Sequence, residues 1–387
     1  MAGRILCLVT LFGLLAVSLS IPVGALQYQA VSLQMLPGAT SAVGCDVNDN
    51  GQIVGYCQVN NQERAVFWDA SGAVHDLGSV AGTNQSRATS INNRGEIVVV
   101  RPVSNYINET IVVKDDAILR VWPNPGVSSN MFSINEFGQT VGLVYDGYRN
   151  YAALWGSSGV AELLPGPVAG VDLTAAWDLN NNGWAVGYYN DYAHYTHNRA
   201  CLWRSPTEME YLLTEAEIDS EARAVNDTGQ VVGTAYTTAG ISEAFLWQNG
   251  EYDYLAKPDG ITWANANDIN NAGQVVGDYG LLIEGDFDPV YSQDAYIWEN
   301  GLFQLLPSDY RYSEAKAVNN NGWAVGSAWY VTDDGDRITR PMLWMPVPEP
   351  SGLLALAAGL GCLTSVLRCK VGIRNGGKRK DMRKRLF

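Results

Sequence analysis

Histidine is nearly missing from this 387-residue chain, which holds three: His75, His194 and His197. Structural zinc sites need four protein ligands and catalytic ones usually three. His194 and His197 share one aromatic loop with no cysteine beside them, so the pattern argues against zinc. Cysteine is scarce too. Only Cys45, Cys57 and Cys201 lie between the two apolar ends of the chain. An odd number cannot close a disulfide framework. Cys45 and Cys57 flank one hairpin out of register for direct pairing, so all three read as small buried hydrophobes, with a Cys45–Cys57 bridge as the lesser alternative. Positive charge is sparse in the interior of the chain. Residues 26–346 carry 15 Lys and Arg against 38 Asp and Glu, a net charge near −23. That argues against nucleic acid as a partner. No nucleophile elbow, phosphate-cradling glycine loop or Cys–His pair occurs. Paired carboxylates for glycoside hydrolysis stay open, because they would come from distant parts of the chain.

What the chain does have is one phrase repeated seven times. Its cleanest copy is INNAGQVVG, Ile269 to Gly277. The others begin at Val47, Ile91, Ile134, Leu179, Val225 and Val318. Their central glycines, Gly51, Gly95, Gly138, Gly183, Gly229, Gly273 and Gly322, are 43 to 49 residues apart. Such a period marks a stacked or radial repeat architecture. Within each repeat an apolar residue, Asn-x-x-Gly and a Val/Ile pair read as strand, tight turn, strand. The Asn side chain starts the turn, and the Gly supplies a positive φ. A variable loop leads to a third strand such as Ala244 to Trp247, then an Asn-Gly turn and a fourth strand ending in a Leu pair. Seven such sheets predict an all-β fold, a seven-bladed β-propeller of four-stranded blades.

Residues 27–37 resemble the last strand of a repeat, and the seventh repeat lacks that strand after Trp344. The N-terminal strand is therefore expected to complete the last blade and close the ring. Six repeats keep a Trp on the third strand: Trp68, Trp155, Trp203, Trp247, Trp298 and Trp344. A recurring Trp reads as packing between blades. Repeat 2 departs most, with Val99 for the second Gly and Lys114 at the place assigned to the Trp.

The two ends have a different character. Arg4, the apolar stretch Ile5 to Leu19 and the small residues Val23, Gly24 and Ala25 read as a signal peptide over 1–25. The propeller is assigned to 26–346. At the other end Val347, Pro348, Glu349 and Pro350 precede an apolar run over 352–367 and nine Lys and Arg. The run is expected to form a membrane-spanning helix, with the basic tail held in the cytoplasm.

Two resemblances follow. IN-x-x-GQVVG, with Ala-Phe-Leu-Trp and its Asn-Gly turn, resembles the HAF repeat of bacterial extracellular proteins over about residues 40–345. Val347, Pro348, Glu349 and Pro350, with the helix and basic end over 347–387, resemble a PEP-CTERM sorting signal. That resemblance implies an exosortase-type sorting enzyme as partner, export across the inner membrane, a membrane-anchored stage, processing near Pro348–Pro350 and delivery to the surface.

Both tight turns of a blade must lie on one side of the sheet, so the long variable loops share the other. Binding residues concentrate on such loops. Repeats 3, 4, 6 and 7 place Tyr145, Tyr148, Tyr189, Asp191, Tyr192, Tyr279, Asp286, Asp288, Trp329 and Tyr330 there. Aromatic faces bury sugar C–H surfaces, and carboxylates accept from hydroxyls, so a glycan is the expected ligand. Asp333, Asp334 and Asp336 form a candidate calcium cluster, calcium being the one cofactor considered. Asp46-x-Asn48-x-Asn50 and Asp178-x-Asn180-x-Asn182 match half a calcium loop. Cys57 and Tyr189 stand where its closing Glu is needed, so both read as turn formers. The favoured reading is a non-catalytic surface binding module for glycan or exopolysaccharide. The alternatives are a propeller glycosidase or polysaccharide lyase, and a purely structural matrix protein.

Overall fold

The computed structural model describes residues 27–347, apart from 105–106, 123–127, 158, 165, 167–171, 192–196, 214–218, 238, 284–289 and 333. Seven antiparallel sheets follow one another along the chain. Blade 1 has strands Ala39–Val47, Ile53–Val59, Gln62–Trp68 and Val74–Asp76, in that order from the axis outward. Blades 2 to 6 repeat the plan, their innermost strands being Arg87–Ile91, Ser128–Ile134, Asp172–Leu179, Asp219–Val225 and Ile261–Ile269. In blade 6 a short strand, Val290–Tyr291, pairs additionally with the second strand. Blade 7 takes three strands from the C-terminal part, Tyr312–Val318, Ala324–Val331 and Arg337–Pro346. Its fourth is Tyr28–Ser32, with Tyr28 opposite Pro346 and Ser32 opposite Met342. The expected closure by the N-terminal strand is therefore present.

The core lies between blades. Apolar second strands are buried on both faces, and each third-strand Trp packs back onto the preceding blade. Trp247 meets Val186, Leu202 and Leu212 of blade 4, and Trp68 meets Ala317, Val325 and Leu343 of blade 7. Trp68, Trp155, Trp203, Trp247 and Trp344 are buried, and Trp298 is partly so. Repeat 2 needs a correction. Val113, not Lys114, stands at the Trp position, since it pairs with Ile97 as Trp68 pairs with Ile53. The misplacement came from a missing anchor: no Trp marks the strand in this repeat, and the turn after it is Asp115-Asp116 where repeats 5 and 6 have Asn-Gly.

Each phrase Asn does more than start a turn. The Asn270 Oδ1 accepts from the main-chain N–H of Ala272 and Gln274, while its Nδ2 donates to the Asn319 carbonyl of the next blade at 2.8 Å. Asn48, Asn92, Asn135, Asn180, Asn226 and Asn319 make the same bond to their next blades, the last returning to the Asn48 carbonyl. A second ring runs outside it. The main-chain N–H of Asp49 donates to the Asn93 side chain, and so on through Glu136, Asn181, Asp227, Asn271 and Asn320 back to Asp49. These two closed rings explain why the phrase is the least variable part of the sequence.

The third strand of blade 7 and the N-terminal strand meet at the same end as these turns, where the Val347 N–H donates to the Gln27 carbonyl at 2.6 Å. Both ends of the described chain thus leave from the turn face.

Candidate functional site: the loop-face funnel

Every innermost strand carries a bulge three residues before the phrase Asn. Pairing skips Cys45, Thr89, Phe132, Trp177, Arg223, Asn267 and Lys316. The bulge turns a main-chain carbonyl toward the second strand, which explains the second Gly of the phrase. A Cβ on Gly277 would collide with the Asn265 carbonyl oxygen, and one on Gly326 with that of Glu314. A bulge re-aims its side chain and is common beside functional sites. Here six of the seven skipped residues line one funnel of about 510 Å³ on the loop side of the axis, and Thr89 lines an adjoining cavity that shares Phe132. In a chain that repeats itself at most positions, these seven are all different.

The funnel has two unlike walls. On blades 3 and 4, Phe132 and Trp177 have ring centroids 4.7 Å apart, and Tyr188 lies 6.0 Å beyond Trp177. Arg223 reaches over the Trp177 ring, 5.3 Å from its centroid, while pairing with Glu221 at 2.7 Å. The indole N–H of Trp177 has no hydrogen-bond partner among the described residues. On blades 6 and 7 the wall is polar. Asp278 accepts from Gln293 Nε2 at 2.9 Å, Asn267 Nδ2 at 3.2 Å and Asn265 Nδ2 at 3.4 Å. Burial, and then the charge of Glu314, push the Asp278 carboxyl up to about 6. Glu314 accepts from Lys316 Nζ at 2.7 Å. Cys45 is not a buried core hydrophobe but a half-buried funnel residue, whose thiol burial pushes up to about 11. Cys45, Cys57 and Cys201 are all unpaired.

Deeper along the axis stand Asp46, Asp178 and Asp268, two residues before their phrase Asn. Their side chains accept from the next blade's main chain, at Ile91, Val225 and Val318, over 2.7–2.9 Å. Asp46 and Asp178 are therefore braces between blades, more than turn formers. Burial raises all three carboxyls, Asp178 to about 6 and Asp268 well above the usual range; the charge of Asp46 adds to it at Asp178, and those of Asp178 and Asp46 at Asp268.

The residues expected from the loops are distributed differently. Tyr189, Tyr279 and Trp329 are buried, at 2%, 3% and 7% exposure. Tyr279 packs on Tyr296 and Phe303, and Trp329 stacks on Tyr312 beneath Arg337. They belong to the packing because strand alternation turns them between blades. Tyr145, Tyr148 and Tyr330 are exposed, Tyr330 stacked on Tyr310. Asp191 ends its strand, Ala185–Asp191. Tyr192, Asp286, Asp288, Asp333, Pro348, Glu349 and Pro350 lie outside the described residues, as do 1–25 and 352–367. Val347 is described and exposed, and Asp334 and Asp336 sit on an exposed loop tip. Among the described residues no three His, Cys, Asp or Glu side chains are placed to hold a metal ion, and no helix is long and apolar enough to cross a membrane. The funnel wall was missed because its residues sit on strands. Aligning the seven repeats and reading the one column that never agrees would have found it.

No family model matches the sequence, and no curated protein matches it. Among solved structures the chain is similar to an oligogalacturonate lyase in complex with manganese, with a TM-score of 0.53 and 11% identity over 84% of this chain and 97% of that one. It is also similar to the β-propeller domain of the Trilobed protease from Pyrococcus furiosus, described as having an open velcro topology. There the TM-score is 0.50 and the identity 13%, over 79% of this chain and 95% of that one. Identities this low show the fold alone: the chain is a seven-bladed β-propeller, closed in this case by its own N-terminal strand.

Proposed function

We propose that this is an exported, surface-delivered propeller whose loop-face funnel binds a glycan without transforming it. The observation that supports this reading is the ring of bulge residues, which sets the Phe132–Trp177 surface opposite the amides and carboxylates of blades 6 and 7. A sugar ring offers an apolar C–H face to the first and hydroxyls to the second. Hydrogen bonds to charged acceptors contribute about 1.5–3 kcal/mol each. The signal peptide, sorting motif and spanning helix read in the sequence put the chain on the outer side of the inner membrane as an exosortase-type substrate. Because both described ends leave from the turn face, a tethered propeller stands on that face and holds its funnel outward. The purified chain on a glycan array tests the reading. Trp177→Ala and Asn267→Ala each abolish binding to the array hits and leave the unfolding transition cooperative. Retention of binding in both variants overturns it.

A second reading, a propeller glycosidase or polysaccharide lyase, has its own support in Asp278 and Glu314. They converge in the funnel, and a carboxyl near 6 holds its proton close to neutral pH, as a general acid must. Release of reducing ends or unsaturated products, lost in Asp278→Asn, would favour it over simple binding.

A further inference from the structure

Blade 2 departs from its sisters beside the funnel. In the other six blades the second Gly of the phrase makes room for the bulge: a Cβ there would stand 1.9–2.0 Å from a carbonyl oxygen of the innermost strand. Blade 2 carries Val99 at that place, opposite Ala88. Its two inner strands part toward the loop side. The innermost strand has only Arg87 and Ala88 before the skipped Thr89, whereas the other blades have four to six residues before theirs. The second strand, Ile97–Ser104, runs on past the last pair, Arg87 with Val100. Among the described residues its inner edge has no strand partner from Arg101 onward. Pro102, with no N–H to leave unpaired, stands on that edge.

The opening is a cavity of about 390 Å³ between blades 1, 2 and 3, and it meets the funnel at Phe132, which lines both. Small-molecule sites run from about 300 to 1,000 Å³, so either space alone is large enough for a sugar unit. Half-buried Val100 and Pro102 continue on blade 2 the apolar surface that Phe132 and Trp177 form on blades 3 and 4. Amides stand beside them, Asn108 Nδ2 donating to Asn130 Oδ1 at 2.9 Å. The second cavity thus repeats the funnel's combination of apolar strip and amides. Among the described residues its only charged lining groups are Arg87 and Glu63. They pair through Arg87 Nε at 3.0 Å and Nη2 at 2.5 Å, and so neutralise each other.

We propose that the funnel's ligand is a chain rather than a single sugar, and that its next unit, a neutral one, passes over Phe132 into the cavity of blades 1 to 3. There Val100 and Pro102 take its apolar face, and Asn108 and Asn130 meet its hydroxyls. The inference rests on the glycan reading of the funnel and adds to it the ligand's length and the charge of its second unit.

An array printed with neutral gluco-, galacto-, manno- and xylo-oligosaccharide ladders of increasing length tests this on the purified full chain. At least one ladder binds at least tenfold more tightly as a short oligomer than as the single sugar. Val100→Trp fills the second cavity, removes that step and leaves binding of the single sugar as it was. Asn108→Ala changes the same cavity without adding bulk and lowers the step at least threefold. It serves alone if near-UV circular dichroism shows Val100→Trp to be misfolded. A ladder bound with equal affinity at every length, or a step kept in the folded variants, overturns the proposal and leaves the glycan reading standing. Binding of no neutral ladder overturns it as well, and the glycan reading falls with it only if charged glycans on the same array are not bound either.

Discussion

At the scale of the residue, one side chain type organises the molecule. Each phrase Asn accepts within its own turn and donates to the next blade, so its chemistry is both local and long-range. Asn270→Ala leaves the Asn319 carbonyl and the N–H groups of Ala272 and Gln274 without partners in a buried place. Unsatisfied buried groups cost about 1–3 kcal/mol each. A loss of about 3 kcal/mol is expected, read as a lower urea midpoint at unchanged slope. The axial carboxylates make a pH prediction. The Asp178 carboxyl rises from an ordinary value to about 6 in the folded state, through burial first and then the charge of Asp46, against the hydrogen bonds from Ser133, Val225 and Leu179. The folded chain therefore binds more protons than the unfolded one between about pH 4 and pH 6. That contribution is fully present below the unfolded value and lost as pH rises through about 6. Asp46, Asp268 and Asp278 shift the same way, while Glu96 and Asp146 shift oppositely. Asp178→Asn is expected to weaken the fall in melting temperature between pH 5 and pH 7. An unchanged profile would show that Asp178 does not titrate in this window.

At the scale of the element, the bulge decides what faces the axis. Strand alternation alone was legible in the sequence, and so were both tight turns. The bulge was not, because a skipped residue leaves no mark on hydrophobic periodicity. It slips the register by one and flips which side chains point inward. This is why Cys45, read as core, lines the funnel. Tyr279, read as a loop ligand, is packed away by plain alternation along the second strand. The two glycine roles are separable by mutation. Gly250→Ala meets nothing within 4 Å and pays only for its φ of +90°, so it should cost about 1 kcal/mol. Gly277→Ala drives a methyl group into the Asn265 carbonyl and should cost clearly more, up to about 3 kcal/mol. Denaturant midpoints of the two variants check the order.

At the scale of the whole molecule, ring closure depends on one short strand. Tyr28–Ser32 alone covers the outer edge of blade 7. Deleting residues 27–36 removes that strand together with Leu33, which is buried against blade 1 and blade 7 residues. The expected outcome is a melting temperature lower by several degrees and a concentration-dependent association through the open edge. Calorimetry and sedimentation read the two effects. The closure also sets orientation. With both ends on the turn face, a dye attached near Tyr148 on a loop should stay far from a bilayer that holds the full chain by its tail. A dye near Asn321 in a phrase turn should be quenched by an acceptor in the lipid surface. Equal quenching of the two dyes would count against this orientation.

The sequence by itself determined the number of blades, the strand order and the strand that closes the ring. Each rests on a feature local in the chain: a turn, an apolar alternation, a missing strand whose counterpart stands at the other end. It also located the packing Trp in the six repeats that have one; the second, with Val113 in its place, offers no such mark. The tertiary structure alone decided which residues meet. The two Asn rings join residues 43 to 49 apart, and at the closure 271 apart. The funnel gathers side chains from six blades. Periodicity fixes what each repeat does by itself. What neighbouring blades make together depends on the bulged register and the angle at which sheets close, and neither is written in any one repeat.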